Sequence, residues 1–392
     1  MQQDIAIVGA GPAGLALARS LRGSGLSVAV IERQPQAALG DPAFDGREIA
    51  LTPRSVALLR QMGVWEDIPP GEVFPMRAAK VLNGASPFAL TFAPKPQGRA
   101  EPAPLGVLVA NHLIRRALYR GVEGLAGVTL IAGAGVSAAR RGPGGFHLAL
   151  SDGRELAARL LVVADSRFSA TRDQIGVGAQ MNRLGRSMLV CRMSHPADHG
   201  GVATEWFDHR QTLALLPLGP GQSSVVITLP ATEMEALAGL EDAAFGDAVT
   251  RRFKRRLGPM RLVGARHVYP LVTAWAHRFA GSGFALIGDA AVGMHPVTAH
   301  GFNLGLAGQA DLARRIVAAR AAGRDFASAA ALAGYEAAHR RRCRPLFLAT
   351  NATARLFTTE TAPARLARHA LIRIAQGATP IRDTIVRSLS AT

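Results

Sequence analysis

Residues 4–32 read Asp4-Ile-Ala-Ile-Val8, Gly9-Ala-Gly11-Pro-Ala-Gly14, a stretch with Leu15, Leu17, Ala18 and Leu21 in helical register, and Ser27-Val-Ala-Val-Ile-Glu32. The two flanking runs predict buried strands, and the middle a helix over 13–23. That is a βαβ unit, and a right-handed crossover makes its strands parallel neighbours. Each glycine has its own task. Gly9 makes the tight turn, Gly11 admits the backbone to a pyrophosphate, and Gly14 lets the helix pack closely on the strand. The helix start offers free N–H groups and the positive dipole end to phosphates. Glu32 ends the second strand, where a carboxylate accepts hydrogen bonds from ribose hydroxyls. Gly9, Gly11, Ala13, Gly14, Glu32 and Arg33 are therefore the dinucleotide-binding candidates. The fingerprint alone does not say which dinucleotide.

Working outward, further strands are expected at 128–131, 146–150 and 160–163, with a turn at Ser151-Asp-Gly153. Helices are expected at 53–62 and 111–122. Residues 76–106 are rich in Pro, Gly and short apolar runs and suggest an inserted sheet. Thr212-Leu-Ala-Leu-Leu216 and Ser224-Val-Val-Ile-Thr228 flank Gly219-Pro-Gly221 as a hairpin of a separate mixed sheet. Residues 232–257 read as helical. A strand at 284–287 returns to the first domain, a helix follows over 301–320, and the remainder is mostly helical. The expected fold is α/β: a Rossmann-like dinucleotide-binding domain of residues 1–75, 101–180 and 281–325, an interleaved mixed β-sheet substrate domain of 76–100 and 181–280, and a helical C-terminal segment of 326–392.

Composition narrows the class. The 392 residues are 48% hydrophobic and 19% charged, a globular balance. Cys191 and Cys343 form no CxxC pair or metal cluster, which fits a reducing, cytoplasmic setting and disfavours dithiol redox chemistry. The apolar N-terminus lacks a basic region and carries Asp4, unlike a signal peptide. No run reaches the length of a membrane span, so a soluble or peripheral protein is expected. The net charge is +17, but only three of 45 basic residues are lysine. Ten arginines against Glu360 and Asp383 in 340–392 suggest a surface for anionic lipid or a partner protein, or simply a solvated face. Aromatic residues are 5% and no recognition motif is visible, so no nucleic acid partner is expected. No GxSxG elbow supports a hydrolase.

The discriminating segment is Leu286-Ile-Gly-Asp289-Ala-Ala-Val-Gly-Met-His295-Pro296-Val-Thr-Ala-His300-Gly301-Phe302-Asn303. A strand ends at Gly288-Asp289, and a loop leads to a second glycine-bearing helix start. This segment resembles the GD motif of the group A flavoprotein monooxygenases, the relatives of para-hydroxybenzoate hydroxylase. Ala164-Asp165-Ser-Arg-Phe-Ser169 with Arg172 is similar to that family's DG motif, with Ser166 in place of glycine. Asp45-Gly-Arg47 resembles the early Asp-x-Arg of its ubiquinone-biosynthesis branch. The resemblance runs nearly end to end, through Tyr335-Glu and Arg340-Arg-Arg342, and is nearest to the UbiH/UbiF/Coq6 group. Val292, Ala299-His300 and Ser166 depart from the group's usual form in a manner similar to the UbiM type.

The resemblance implies FAD as cofactor, with Asp289 on the ribitol, Pro296 to Asn303 (Gly301 and Phe302 included) framing the isoalloxazine, Asp165 supporting FAD, and Arg47 approaching the flavin. Arg115 stands where relatives carry a flavin-contacting glutamine. It implies hydroxylation of a polyprenylated phenol or quinol of ubiquinone biosynthesis by O2, through a flavin C4a-hydroperoxide, with NAD(P)H or another donor as reductant. A biosynthetic protein complex and peripheral contact with the inner membrane are the implied partners. His295, Pro296 and His300 are the catalytic candidates. His295 can relay a proton for the phenol or brace the loop, and His300 can point at substrate or solvent. Trp206, Phe207, Leu215 and Pro217 can line an apolar pocket or pack in a core. Three readings stay open beside this one: a soluble aromatic substrate, an isoprenoid reductase of the same fold, and a non-catalytic FAD-bound scaffold. A halogenase is disfavoured, since none of the three lysines stands in a catalytic context.

Overall fold

The computed structural model describes residues 1–84, 86, 89–94, 103–208, 210–295 and 300–358. Most of the arginine-rich stretch, residues 359–392, therefore lies outside the described residues, as do Pro296 and the three residues after it. The opening unit folds as its periodicity predicts: strand Gln2–Val8, helix Pro12–Ser20 and strand Val28–Glu32. The two strands pair in parallel, Ile5 opposite Val28 and Val8 opposite Ile31. Leu15, Ala16, Leu17 and Ala18 are buried against the sheet.

The central sheet runs in the order Ala280–Gly281, Phe284–Leu286, Glu155–Val163, Gln2–Val8, Val28–Glu32, Val128–Ala132. An antiparallel pair, Val136–Gly142 and Gly145–Leu150, extends it beside Glu155–Val163. Val163 pairs with Leu286, so the strand returning from late in the chain lies next to one that ends far earlier.

Between those neighbours the chain builds a second, eight-stranded sheet. Its order is Val292–Gly293, Arg261–Ala276, Ala179–Ser194, Gln222–Pro230, Gln211–Pro217, Val202–Asp208, Ala78–Asn83, Ala89–Phe92. The hairpin about Gly219-Pro-Gly221 forms, with Leu215 opposite Val225. The 16-residue strands Ala179–Ser194 and Arg261–Ala276 are longer than the pattern suggests, and Ala179 pairs with Ala276 at their outer ends. Residues 76–106 divide: two of their strands join this sheet, while Val73–Met76 and Gly106–Ala110 pair with each other in a three-stranded sheet with Glu48–Leu51. Residues 232–257 hold two helices, Ala231–Ala238 and Asp242–Arg252.

Helix His300–Ala321 packs on Pro12–Ser20, and helix Ala329–Thr358 packs on it in turn. Tyr335, fully buried, donates its hydroxyl to the Leu286 carbonyl at 2.6 Å and so pins the strand that carries the Gly288-Asp289 turn. No described helix is long and apolar enough to cross a membrane.

Candidate flavin and substrate site

The glycine loop meets a dinucleotide's steric demands. Gly9 has φ +107°, and a Cβ there would lie 2.6 Å from the Ala164 carbonyl oxygen. A Cβ on Gly14 would lie 2.0 Å from the Gly9 carbonyl oxygen, so helix and turn touch backbone to backbone. At Gly11 the same test meets nothing within 4 Å, which leaves an open approach at the helix start. No side chain caps that helix, so its first N–H groups stay available to phosphate oxygens. Glu32 accepts the Ala10 N–H at 2.8 Å and the Gln34 N–H at 3.0 Å, one on each oxygen. Its second lone pairs are left for hydroxyl donors. Arg33 is exposed beside it. Arg115 donates to the Gln34 side chain at 3.1 Å, which places it at the Glu32 end of the cleft.

Asp165 follows directly on the backbone that crosses beneath Gly9, and its carboxylate accepts the Ser166 N–H at 3.1 Å. Ser166 is not among the described residues with positive φ, so this turn needs no glycine, and its hydroxyl accepts the Phe168 N–H. The next residue was not foreseen as a site residue. Arg167 grips Asp289 with Nε at 3.0 Å and Nη2 at 2.5 Å, and donates Nη1 to the Val272 carbonyl at 2.6 Å. Both bonds to Asp289 land on Oδ2. The signal available in the sequence was an arginine inside the DG-like motif, a cation where two acidic motifs meet.

Arg172, 3% exposed, completes the tie. Its Nη1 donates to the carbonyls of Arg167 and Ala290, and Ser169 caps its helix by accepting the Arg172 N–H at 2.9 Å. Gly288 (φ +56°) sits so near the first helix that a Cβ would be 3.0 Å from that of Ala13. Segments distant in sequence thus converge on one side of the glycine loop.

His295 is 6% exposed; burial, with the Arg186 guanidinium adding to it, pushes its pKa down to about 4. It is neutral at pH 7. His300 is buried at the start of helix His300–Ala321, and Gly301 faces Met294. Phe302 is half-buried against the main core. The side chain of Asn303 bonds backbone: Nδ2 donates to the Ala50 carbonyl at 2.8 Å and Oδ1 accepts the Thr52 N–H at 3.1 Å. It braces the chain between strand Glu48–Leu51 and the following helix.

Arg47 chelates Asp45 with Nε at 3.0 Å and Nη2 at 2.5 Å, and its guanidinium lies 5.7 Å from the Tyr269 ring centroid. Burial alone would raise the Asp45 carboxyl. Hydrogen bonds and charge from Arg47, with Asn111, outweigh it and hold that carboxyl below its usual range. Tyr269 donates its hydroxyl to the Asp45 carbonyl at 2.7 Å, tying this segment to the second sheet.

Trp206 and Leu215 belong to the core under the two helices, not to a pocket, and Cys191 is buried with them, its thiol pushed up to about 12 by burial. A cleft of about 440 Å³ lies between Phe44, Glu72, His112, Arg116 and Arg192, but none of the candidate residues lines it. Among the described residues no cluster suits a metal ion.

The chain matches the family model described as FAD binding domain over residues 2–347. It is 44% identical over 391 residues to ubiquinone hydroxylase UbiM of Neisseria meningitidis, covering 100% of this chain and 85% of the relative. Ubiquinone hydroxylase UbiL of Rhodospirillum rubrum is 37% identical over 389 residues, covering 99% and 90%. Among solved structures, p-nitrophenol 4-monooxygenase PnpA of Pseudomonas putida superposes with a TM-score of 0.79 at 18% identity, covering 99% of this chain and 98% of that one, a likeness of fold.

Proposed function

We propose, from the premise that this chain belongs to the FAD binding domain family and to its ubiquinone-hydroxylase group, that it hydroxylates the aromatic ring of a polyprenylated phenol or quinol, using O2. The observation that carries this reading is the convergence of the Gly9–Gly14 loop, the Asp165–Arg172 segment and the Asp289 turn at the Arg167–Asp289 pair. When bound, FAD supplies the activation of oxygen and its transfer to the ring.

The chain's own residues do the rest. Gly9, Gly11, Ala13 and Gly14 with the helix start hold the diphosphate, and Glu32 the ribose, with Arg33 and Arg115 at the same end. Asp289 keeps Oδ1 for a ribitol hydroxyl while Arg167 fixes Oδ2. Asp165 supports the turn beneath the glycine loop, and Arg47 supplies a cation on the flavin side. Pro296, Gly301, Phe302 and the backbone of Asn303 frame the ring. His295, neutral at pH 7, can accept a hydrogen bond from a phenolic hydroxyl on an imidazole nitrogen, and His300 stands at the same loop. We assign residues 1–75, 101–180 and 281–325 to the flavin and 76–100 and 181–280 to the substrate. The reductant in this reading is NAD(P)H or another donor. A prenyl tail calls for delivery from a membrane surface or a partner protein of the same biosynthesis.

The test is complementation of bacterial strains that each lack one ubiquinone ring hydroxylase, with lipid extracts read by mass spectrometry. Restored ubiquinone in at least one strain is expected. Failure in every strain, with yellow protein present, would replace the lipid by a soluble aromatic substrate. Asp289→Ala should cost at least about tenfold in bound flavin, the loss of one charged hydrogen bond, read as the ratio of flavin to protein absorbance.

A further inference from the structure

The second sheet has two acidic side chains that neither core packing nor the flavin site uses; Asp208, at a strand end, accepts the Gln211 amide at 3.2 Å, which leaves Glu205. Glu205 lies on strand Val202–Asp208. The register places it in a cross-strand row: Val190 opposite Val226, Val226 opposite Ala214, Ala214 opposite Glu205, Glu205 opposite Val81, and Val81 opposite Leu90. Residues in register across a sheet share a face. Glu205 is therefore one carboxyl among valine, alanine and leucine in a row that ends at His267, opposite Val190. Among the described residues it makes no hydrogen bond or ion pair.

Alternation says which face this is. Trp206, Leu213, Val225 and Leu189 point the other way, into the core beneath the two helices. The Glu205 face is shared by Met188, whose partner on the next strand is Tyr269, the tyrosine bonded to the Asp45 carbonyl. It is also the face of Arg186, whose charge reaches His295. The row thus belongs to the sheet surface turned toward Arg47 and the His295 loop.

Glu205 keeps accessible surface, as Val226 does, although the carboxyl lies deep in the molecule. Glu205 and Val226 thus remain reachable beside Val190, Ala214 and Leu90, which are buried. Burial pushes this carboxyl up to about 8, so at pH 7 it is neutral and can both donate and accept a hydrogen bond. An isolated buried carboxyl is costly unless something pairs with it. A prenylated phenol fits the row, its apolar surface against the valines and its hydroxyl against the acid.

Resting on the proposed function, we infer that Glu205 is a specificity-determining residue that hydrogen-bonds the ring hydroxyl of the aromatic substrate and so sets which ring edge faces the flavin. No proton need leave either partner.

The test uses the full-length, flavin-loaded protein titrated with 2-prenylphenol and with its methyl ether, binding being read from the perturbed flavin absorbance. The wild-type protein should prefer the phenol by about tenfold, the worth of one hydrogen bond left unmade in a buried site. Glu205→Gln, which still donates and accepts, should keep most of that preference. Glu205→Val, which continues the row, should bind the two compounds about equally. Should that variant lose its flavin, Glu205→Asp replaces it, with the preference reduced because the carboxyl is withdrawn by one methylene. Undiminished preference in the Val variant, or in its Asp substitute, would overturn the role of Glu205 and leave the proposed function standing. So would a wild-type protein that binds both compounds alike. A wild-type protein whose flavin responds to neither compound would overturn both.

Discussion

The two faces of the second sheet come from the same strands and differ in how completely they are covered. On one, Leu189, Cys191, Trp206, Leu213, Val225 and Ile227 pack against Met234, Phe245 and Val249, almost wholly buried. On the other, Val190 and Ala214 are buried and Leu90 and Phe92 form a small cluster with Leu105, but Met188, Val226 and Leu216 keep accessible surface and the row includes an acid. Period-two alternation makes this division possible, since one strand can serve a core and a cleft at once. The lesson is that hydrophobicity alone does not locate a binding surface in a sheet. What separates the faces is how continuously the opposite side is covered: two helices lie along one, and only a small cluster about Leu90, Phe92 and Leu105 lies on the other.

The strongest way to break that distinction is to excavate both faces equally. Trp206→Ala on the helix-covered face should cost about 3–5 kcal/mol through lost burial and an unfilled cavity. Val226→Ala on the open face should cost about 1 kcal/mol or less, because less of its surface leaves water on folding. Midpoints of denaturant unfolding would compare them; equal shifts would mean that the open face is packed core.

A smaller effect belongs to pH. The folded-state pKa of His295 is depressed to about 4 from 6.5, so its contribution to stability is present above pH 6.5 and is lost as pH falls toward 4. His339, also buried and lowered to about 4, adds to the same limb. Melting temperatures between pH 7 and 4 should fall less steeply for His295→Asn than for the wild-type protein. A parallel decline would remove His295 from the account.

The smallest effect sharpens the comparison most. The Glu205 carboxyl is raised in the fold, so whatever stability it contributes is present at acid pH and is lost as pH climbs through about 8. Glu205→Gln should therefore gain melting temperature over the wild-type protein at pH 8.5 and show little difference at pH 5. No pH dependence in that difference would mean that the acid sits in solvent.

Much of the flavin-binding half was legible because its signals are local. Gly9, Gly11 and Gly14 each answer a steric demand within a few residues, and Gly288-Asp289 follows a strand whose apolar run announces it. The longest strands were harder to see. In Arg261–Ala276 the alternation is broken by Gly264 at φ +79° and by Pro270, and in Ala179–Ser194 by Gly185 at φ +64°. Each marks an irregularity that resets the pattern. The Arg167–Asp289 grip and the Asn303 brace join residues more than a hundred positions apart. No periodicity reports such pairs. The orientation of Glu205 needed the register, because an acid between Thr204 and Trp206 reads equally as a solvated edge.

The pairing of Ala179 with Ala276, and of Val163 with Leu286, has a consequence for how such an enzyme can change. Most of the second sheet leaves the central one and comes back through neighbouring strands, as an excursion whose two ends stand side by side. A replacement for residues 179–276 from a relative would need to match the host at that doorway, along strand Val292–Gly293, and at the bonds that leave the sheet, Tyr269 to the Asp45 carbonyl, Arg192 to Glu48 and the Val272 carbonyl to Arg167. A graft of that stretch would leave the strand order of the central sheet as it is.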